Sequence, residues 1–205
     1  SGNSATTVVD EGSTGGGGIL SFGALTVTNS TFYGNSAPYG YGGGIYNSGE
    51  GLSNITLTIT NSTFSGNSAP YGGGGIYNDP TSTLYYYNTL IANSPSGGDC
   101  VNAGGVGDNI NNLVGDGSCS ASLSGAPNLG PLADNGSPTQ TMALITGSPA
   151  INAGDDAVCA AAPVSNLDQR GTARPQGAHC DIGAFEGEVP DTFAPTVVSI
   201  KRVSA

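Results

Sequence analysis

Sixteen residues recur almost unchanged in this chain: LTVTNSTFYGNSAPYG at 25–40 returns as LTITNSTFSGNSAPYG at 57–72, offset by 32. The hexapeptide GGGIYN at 42–47 returns at 73–78, offset by 31, and a shorter relative, GGGGIL, occupies 15–20. Self-similarity at such a period means stacked copies of one small unit, none of which buries its apolar face alone.

The unit is made of strands. Ile55, Leu57 and Ile59 alternate with Thr, and Leu25 and Val27 do so one copy earlier; that is the period of two of a strand with one buried face. Each strand ends at an Asn-Ser pair (29–30, 61–62), residues that tolerate bends and bond their own backbone. Phe32 and Phe64 open a second short strand, and Gly-Gly-Ile-Tyr-Asn forms a third. No 3.6-residue period runs over ten residues, which argues against a leucine-rich or helical solenoid. Three strands and three corners per copy predict one coil of a parallel β-helix, an all-β fold.

Stacking coils about 4.8 Å apart places Ile45 over Ile76, Leu25 over Leu57 and Phe32 over Phe64. It also predicts amide ladders of Asn29 over Asn61 and Asn35 over Asn67. The glycine runs read as corners that need a positive φ or close backbone approach. A phosphate-binding loop is the rival reading, but it needs a following helix and usually a Lys, and neither is present.

Leu, Ile, Val and Phe total 40 of 205 residues and the net charge is −11, a composition at the border of disorder. The repeats overrule it, because a solenoid core is one side chain deep. Residues 1–169 hold eleven Asp and Glu and no Lys or Arg. Nothing offers a cationic track for phosphates, so nucleic acid is not an expected partner. No apolar run long enough to insert directly into a membrane is present. Ser1–Ala5 (SGNSA) matches 65–69, so residue 1 falls inside a repeat and the first rung is expected to leave an open strand edge. The expected organisation is repeats over 1–94, irregular final coils and cap over 95–187, and a linker with an extension strand over 188–205. Short strands are expected near 112–114 and 142–144.

The runs NTLIANSPSGGDC (88–100), DGSC (116–119), GPLADNGSPTQTMALITGSPAINAGDDAVC (130–159) and DQRGTARPQGAHCDIGAFE (168–186) resemble the bacterial surface proteins called choice-of-anchor Q domain proteins. That resemblance implies a right-handed parallel β-helix, a pectate-lyase-like solenoid, in a large secreted protein with GGGIYN-type repeats upstream. It implies a cell-surface location and no known catalytic residues.

An even cysteine count in an exported protein favours disulfides. Four cysteines allow three pairings. Cys100–Cys119 and Cys159–Cys180 are preferred because they close short loops in the core-poor part of the chain, each contributing about 3 kcal/mol. Zinc is the rival reading, but no CxxC pair exists and His179 is the single histidine. No metal or other cofactor is expected.

Arg170 and Arg174 invite comparison with the basic residue of β-helix polysaccharide lyases, but they follow the repeats. They are read as structural clamps that fork onto carbonyls or onto a carboxylate such as Asp168 or Asp181. Asp155-Asp156 reads as an exposed turn rather than half of an acid pair or a calcium site, and His179 as an ordinary cap residue. The tyrosines at 33, 39, 41, 46, 71, 77 and 85–87 are ladder residues first and a sugar-stacking ridge second. Of the sequons at Asn29, Asn54, Asn61 and Asn135, Asn54 and Asn135 are the outward-facing ones.

Thr196-Val197-Val198-Ser199-Ile200 reads as a strand with nothing in its own segment to pair with. Docked on the open edge of the first rung (Ser1, Gly2, Asn3) of another copy, it would join molecules head to tail into a filament. The leading functional reading is thus a non-catalytic extracellular scaffold that self-associates. A carbohydrate-binding adhesin module, with surface glycans as partners, is the alternative, and a polysaccharide lyase or hydrolase comes third.

Overall fold

The computed structural model describes residues 15–49 and 55–187. The alternation in the repeats becomes three strands per coil. Coil 1 holds β1 (Ile19–Ser21), β2 (Leu25–Thr28) and β3 (Thr31–Tyr33); coil 2 holds β4 (Ile45–Asn47), β5 (Ile55–Thr60) and β6 (Thr63–Ser65). Coil 3 holds β7 (Ile76–Asn78), β8 (Ser82–Tyr87) and β9 (Leu90–Ala92); coil 4 holds β10 (Cys100–Asn102), β11 (Gly105–Ile110) and β12 (Leu113–Val114). Equivalent strands pair in parallel to make three sheets, β1-β4-β7-β10, β2-β5-β8-β11 and β3-β6-β9-β12, the last extended by β13 (Leu123–Ser124). This is a parallel β-helix.

Register is set residue by residue. Ile45 pairs with Ile76, Leu25 with Leu57 and Phe32 with Phe64. The phenyl rings of the last pair stack at 4.5 Å with planes 7° apart. Inside the three sheets lie the columns Ile45-Ile76-Cys100, Leu57-Leu84, Val27-Ile59-Tyr86 and Phe64-Ile91-Val114. The glycine run fits where backbone meets backbone: Gly42 has φ +64°, and a Cβ on Gly44 would stand 2.4 Å from the Gly75 carbonyl oxygen.

Two features differ from the sequence expectation. The Asn35–Asn67 amide bond forms, at 2.9 Å. Asn29 and Asn61 do not join their amides; both sit at left-handed corners (φ 45°) with Asn88 and Asn111 in the coils beyond. The longer ladder starts from the asparagines that end the two GGGIYN copies: Asn47 Nδ2 donates to Asn78 Oδ1 at 2.9 Å, and Asn78 Nδ2 to Asn102 Oδ1 at 2.7 Å. The second difference is at 95–187. The fourth coil is as regular as the third apart from a bulge between Val106 and Asn109. Beyond it Cys119 and Ala121 fold over the end of the core, tethered by the Cys100–Cys119 disulfide, and Tyr86 Oη donates to the Cys119 carbonyl. The end cap is therefore this short plug.

The described chain beyond it, to residue 187, packs on the outside of the third sheet. Leu90, Ala92 and Leu113 point away from the core and are buried by Leu123, Leu129, Leu144, Ala150 and Ile182. Leu129 and Leu144 come from an antiparallel hairpin, β14 (Leu129–Ala133) and β15 (Thr141–Leu144). Phe64 lies at the centre of the stack and is fully buried. Phe64→Ala is expected to lower the free energy of unfolding by about 3–5 kcal/mol, while Thr58→Ala on the outward side of β5 stays within about 0.5 kcal/mol of wild type, both read from urea titrations.

Candidate functional site

The segment 150–187 runs back along the stack, against the order of the coils, as a strap. The left-handed asparagines 29, 61, 88 and 111, at the corner between the second and third sheets, each hold one point of it. Asn111 Nδ2 donates to Ala153 O at 3.1 Å, and Asn88 donates to Asp155 O at 3.0 Å while accepting from Asp155 N at 2.8 Å. Asn61 Nδ2 lies 3.2 Å from Cys159 Sγ, and Asn29 Nδ2 donates to Leu167 O at 3.0 Å. Left-handed backbone suits Asn among non-glycine residues, and only Asn adds an amide that reaches outward, so the corner residue serves both the turn and the strap. Thr31 Oγ1 bonds Gln169 Oε1 at 2.6 Å, and Ala184 N donates to Thr63 Oγ1 at 2.9 Å.

The strap is closed by Cys159–Cys180 and by a buried ionic cluster. Arg174, with a side chain 0 % exposed, donates to the carbonyls of Asp181 (2.8 Å) and Gly183 (2.7 Å) and to Glu186 Oε2 (3.1 Å). Arg170 forks onto Asp168, donates to the carbonyls of Asn135 (3.2 Å) and Glu186 (2.6 Å), and lies 3.7 Å above the Phe185 ring. Asp168 and Glu186 in turn accept backbone N–H groups from Thr172 and Gln176. The Asp181 carboxylate meets no guanidinium; it accepts from Asn152 N at 2.7 Å and Gly187 N at 2.6 Å. Glu186, the ion partner of Arg174, carries no signal of that role in the sequence, where it ends the phrase GAFE among other acidic residues. Both guanidiniums are engaged inside the strap, and Arg174 cannot meet a substrate from there.

Asp155-Asp156 is not an exposed turn. Asp155 caps α1 (Asp156–Ala160), its Oδ1 accepting from Val158 N at 2.9 Å. Asp156 reaches His179 Nδ1 at 2.8 Å at the surface, and that hydrogen bond holds its carboxyl below the usual range. Among the described residues no group of three His, Cys, Asp or Glu could hold a metal ion. Of the sequon asparagines, Asn61 is buried, while Asn29 and Asn135 are half-buried and engaged, Asn29 donating to Leu167 O at 3.0 Å and Asn135 to Thr141 O at 2.9 Å. Asn54, Ser1, Gly2, Asn3, Thr196, Val197, Val198, Ser199 and Ile200 lie outside the described residues.

A second feature is aromatic. On the outer side of the first sheet Leu20, Tyr46 and Tyr77 are in register with Val101. Tyr41 lies over this row, 4.5 Å from Tyr77 and 5.9 Å from Tyr46 between ring centroids, and Tyr71 stands edge-on to it at 5.7 Å. Tyr46 is buried, but Tyr39 and Tyr71 are 56 % and 62 % exposed. Burial and then the neighbouring Tyr41, Tyr46 and Asp79 push the Tyr77 phenol up.

Burial raises the carboxyls of Asp181 and Glu186 above the ordinary range. In the window between the ordinary value, about 4, and those raised values, the folded chain holds more protons than the unfolded one. These groups therefore make unfolding harder as pH falls through that window and add nothing further below it. Urea titrations across the window should show that rising limb, flattened in Asp181→Asn. Arg174→Met leaves Glu186 buried without its cation and is expected to cost about 3–5 kcal/mol; adding Glu186→Leu should recover part of that loss in the same titration.

Among known families, the Chlamydia polymorphic membrane protein repeat matches residues 29–48 and 61–79. Each match runs from a left-handed corner asparagine through the Gly-rich corner into the IYN strand, so the similarity covers two repeat units. No curated protein and no solved structure matches the chain.

Proposed function

We propose that this protein is a non-catalytic scaffold displayed at the cell surface, a rigid rod whose task is to hold its outer faces in place and to join to further copies. The observation that carries the reading is the strap. Its docking points fall on every coil from Asn111 back to Asn29, so the non-repeated segment 150–187 is engaged in bracing the repeated part. The repeat similarity to a polymorphic membrane protein supports a surface location. The 168–186 signature, in its likeness to choice-of-anchor Q proteins, supports the same.

Among the described residues β1, β2 and β3 are the outermost strands of their sheets. The opposite end carries the Cys119 plug, which blocks direct coil-on-coil stacking there. Joining copies then falls to strand addition, with Thr196–Ile200 of one molecule extending a coil 1 edge of the next. Such a contact is heterologous and grows into a filament. Light scattering and electron microscopy of the full chain should show polymers that lengthen with concentration. A chain lacking residues 190–205 should be monomeric with an unchanged melting temperature. A full chain that stays monomeric at high concentration would falsify the filament reading.

A further inference from the structure

We propose that the tyrosine shelf over the first sheet is a binding site for an uncharged glycan chain. The site goes beyond the scaffold reading, and its failure would leave that reading standing. Tyr41, Tyr46 and Tyr77 pack on one another at 4.5–5.9 Å and fix the floor of the shelf. Tyr71, edge-on to Tyr41 at 5.7 Å, and Tyr39 each stand three residues beyond the Ser36–Ser68 bridge in successive coils and still keep more than half their surface in water. Equivalent positions in neighbouring coils are about 4.8 Å apart, so the two exposed phenols fall within reach of one short stretch of a sugar chain. Each ring has an apolar face for sugar C–H groups, a phenol for sugar hydroxyls, and only two side-chain torsions to immobilise.

Charge selects the occupant. Residues 1–169 contain no Lys or Arg, so a sulfated or uronic chain would meet an acidic molecule with no cation to receive it. A basic peptide would need several carboxylates along the shelf, and among the described residues Asp79 is the carboxylate that acts on Tyr77. An uncharged chain with apolar ring faces and many hydroxyls fits what remains.

Affinity electrophoresis of the full chain in gels holding hydroxyethylcellulose, galactomannan or dextran tests the site, with polygalacturonate, heparin and an oligo-arginine peptide as charged probes. At least one uncharged glycan should retard the protein, and added salt should not weaken the effect. Tyr39→Ala and Tyr71→Ala should each lower affinity about tenfold. Tyr71→Phe should keep most of it, and Tyr85→Ala on the second sheet should change nothing. The chain has no Trp, so quenching of tyrosine fluorescence by the same glycan gives a second readout. Retardation by none of the uncharged glycans, binding confined to a charged probe and abolished by salt, or a Tyr71→Ala variant that binds like wild type would each overturn the proposal.

Discussion

Parallel strands stacked without a register shift force each side chain to meet the side chain at the same place in the next coil, about 4.8 Å away. A residue is acceptable in such a column only if it is complementary to itself. Apolar side chains are, and rings stack on rings, as Phe32 does on Phe64. Carboxamides are too, because one group carries both donor and acceptor, which is why the polar columns are Asn47-Asn78-Asn102 and Asn35-Asn67. Charges are not: like charges at this spacing repel by about 1 kcal/mol even in water. Strands β1 to β9 accordingly contain no Asp, Glu, Lys or Arg. The odd composition, poor in charge and rich in Asn and Thr, follows from stacking alone.

The non-repeated segment obeys the opposite rule. It meets residues unlike its own, so it can pair unlike charges. That is where the buried Arg174–Glu186 and Arg170–Asp168 contacts sit, and where two of the four basic residues of the chain, Arg170 and Arg174, are placed. A buried pair of this kind adds little net stability over an apolar substitute, yet leaving one partner alone is costly. Its effect is to define one closed path for the strap, together with Cys159–Cys180. The corner asparagines translate between the two halves: their backbones belong to the repeat and their amides to the strap.

The stack could be read in the sequence because its signal is local and repeated: Leu25, Leu57 and their neighbours alternate with period two, and the 31–32 offset gives the register. The strap could not, because its contacts to the corner asparagines join residues 42 to 138 positions apart, such as Asn111 with Ala153 and Asn29 with Leu167. One clue was present. Where coil 2 reads Thr63-Phe64-Ser65, coil 3 reads Leu90-Ile91-Ala92. Losing the polar neighbours on both sides of the buried residue is the mark of a strand covered on both faces. Leu90 and Ala92 lie beneath the hairpin and strap. The ladder expected for Asn29 over Asn61 failed for a related reason. At φ 45° the corner turns both amides away from the stack, and their partners come from a distant part of the chain.

The same rule separates structural from functional aromatic residues. A tyrosine column is self-complementary, so tyrosines in a stacked coil need no further cause when they are covered by their neighbours. Tyr46, buried between Tyr41 and Tyr77, is of that kind. Stacking gives no reason to leave rings in water. Exposing a large apolar ring forgoes the burial that would otherwise favour it by roughly 1.5–3 kcal/mol. A stack tolerant of Thr, Ser and Asn at outward positions had cheaper choices for the corners where Tyr39 and Tyr71 stand. Their exposure is therefore the feature of the coils that self-complementarity leaves over, and the place on the rod where an outside partner gains most from contact.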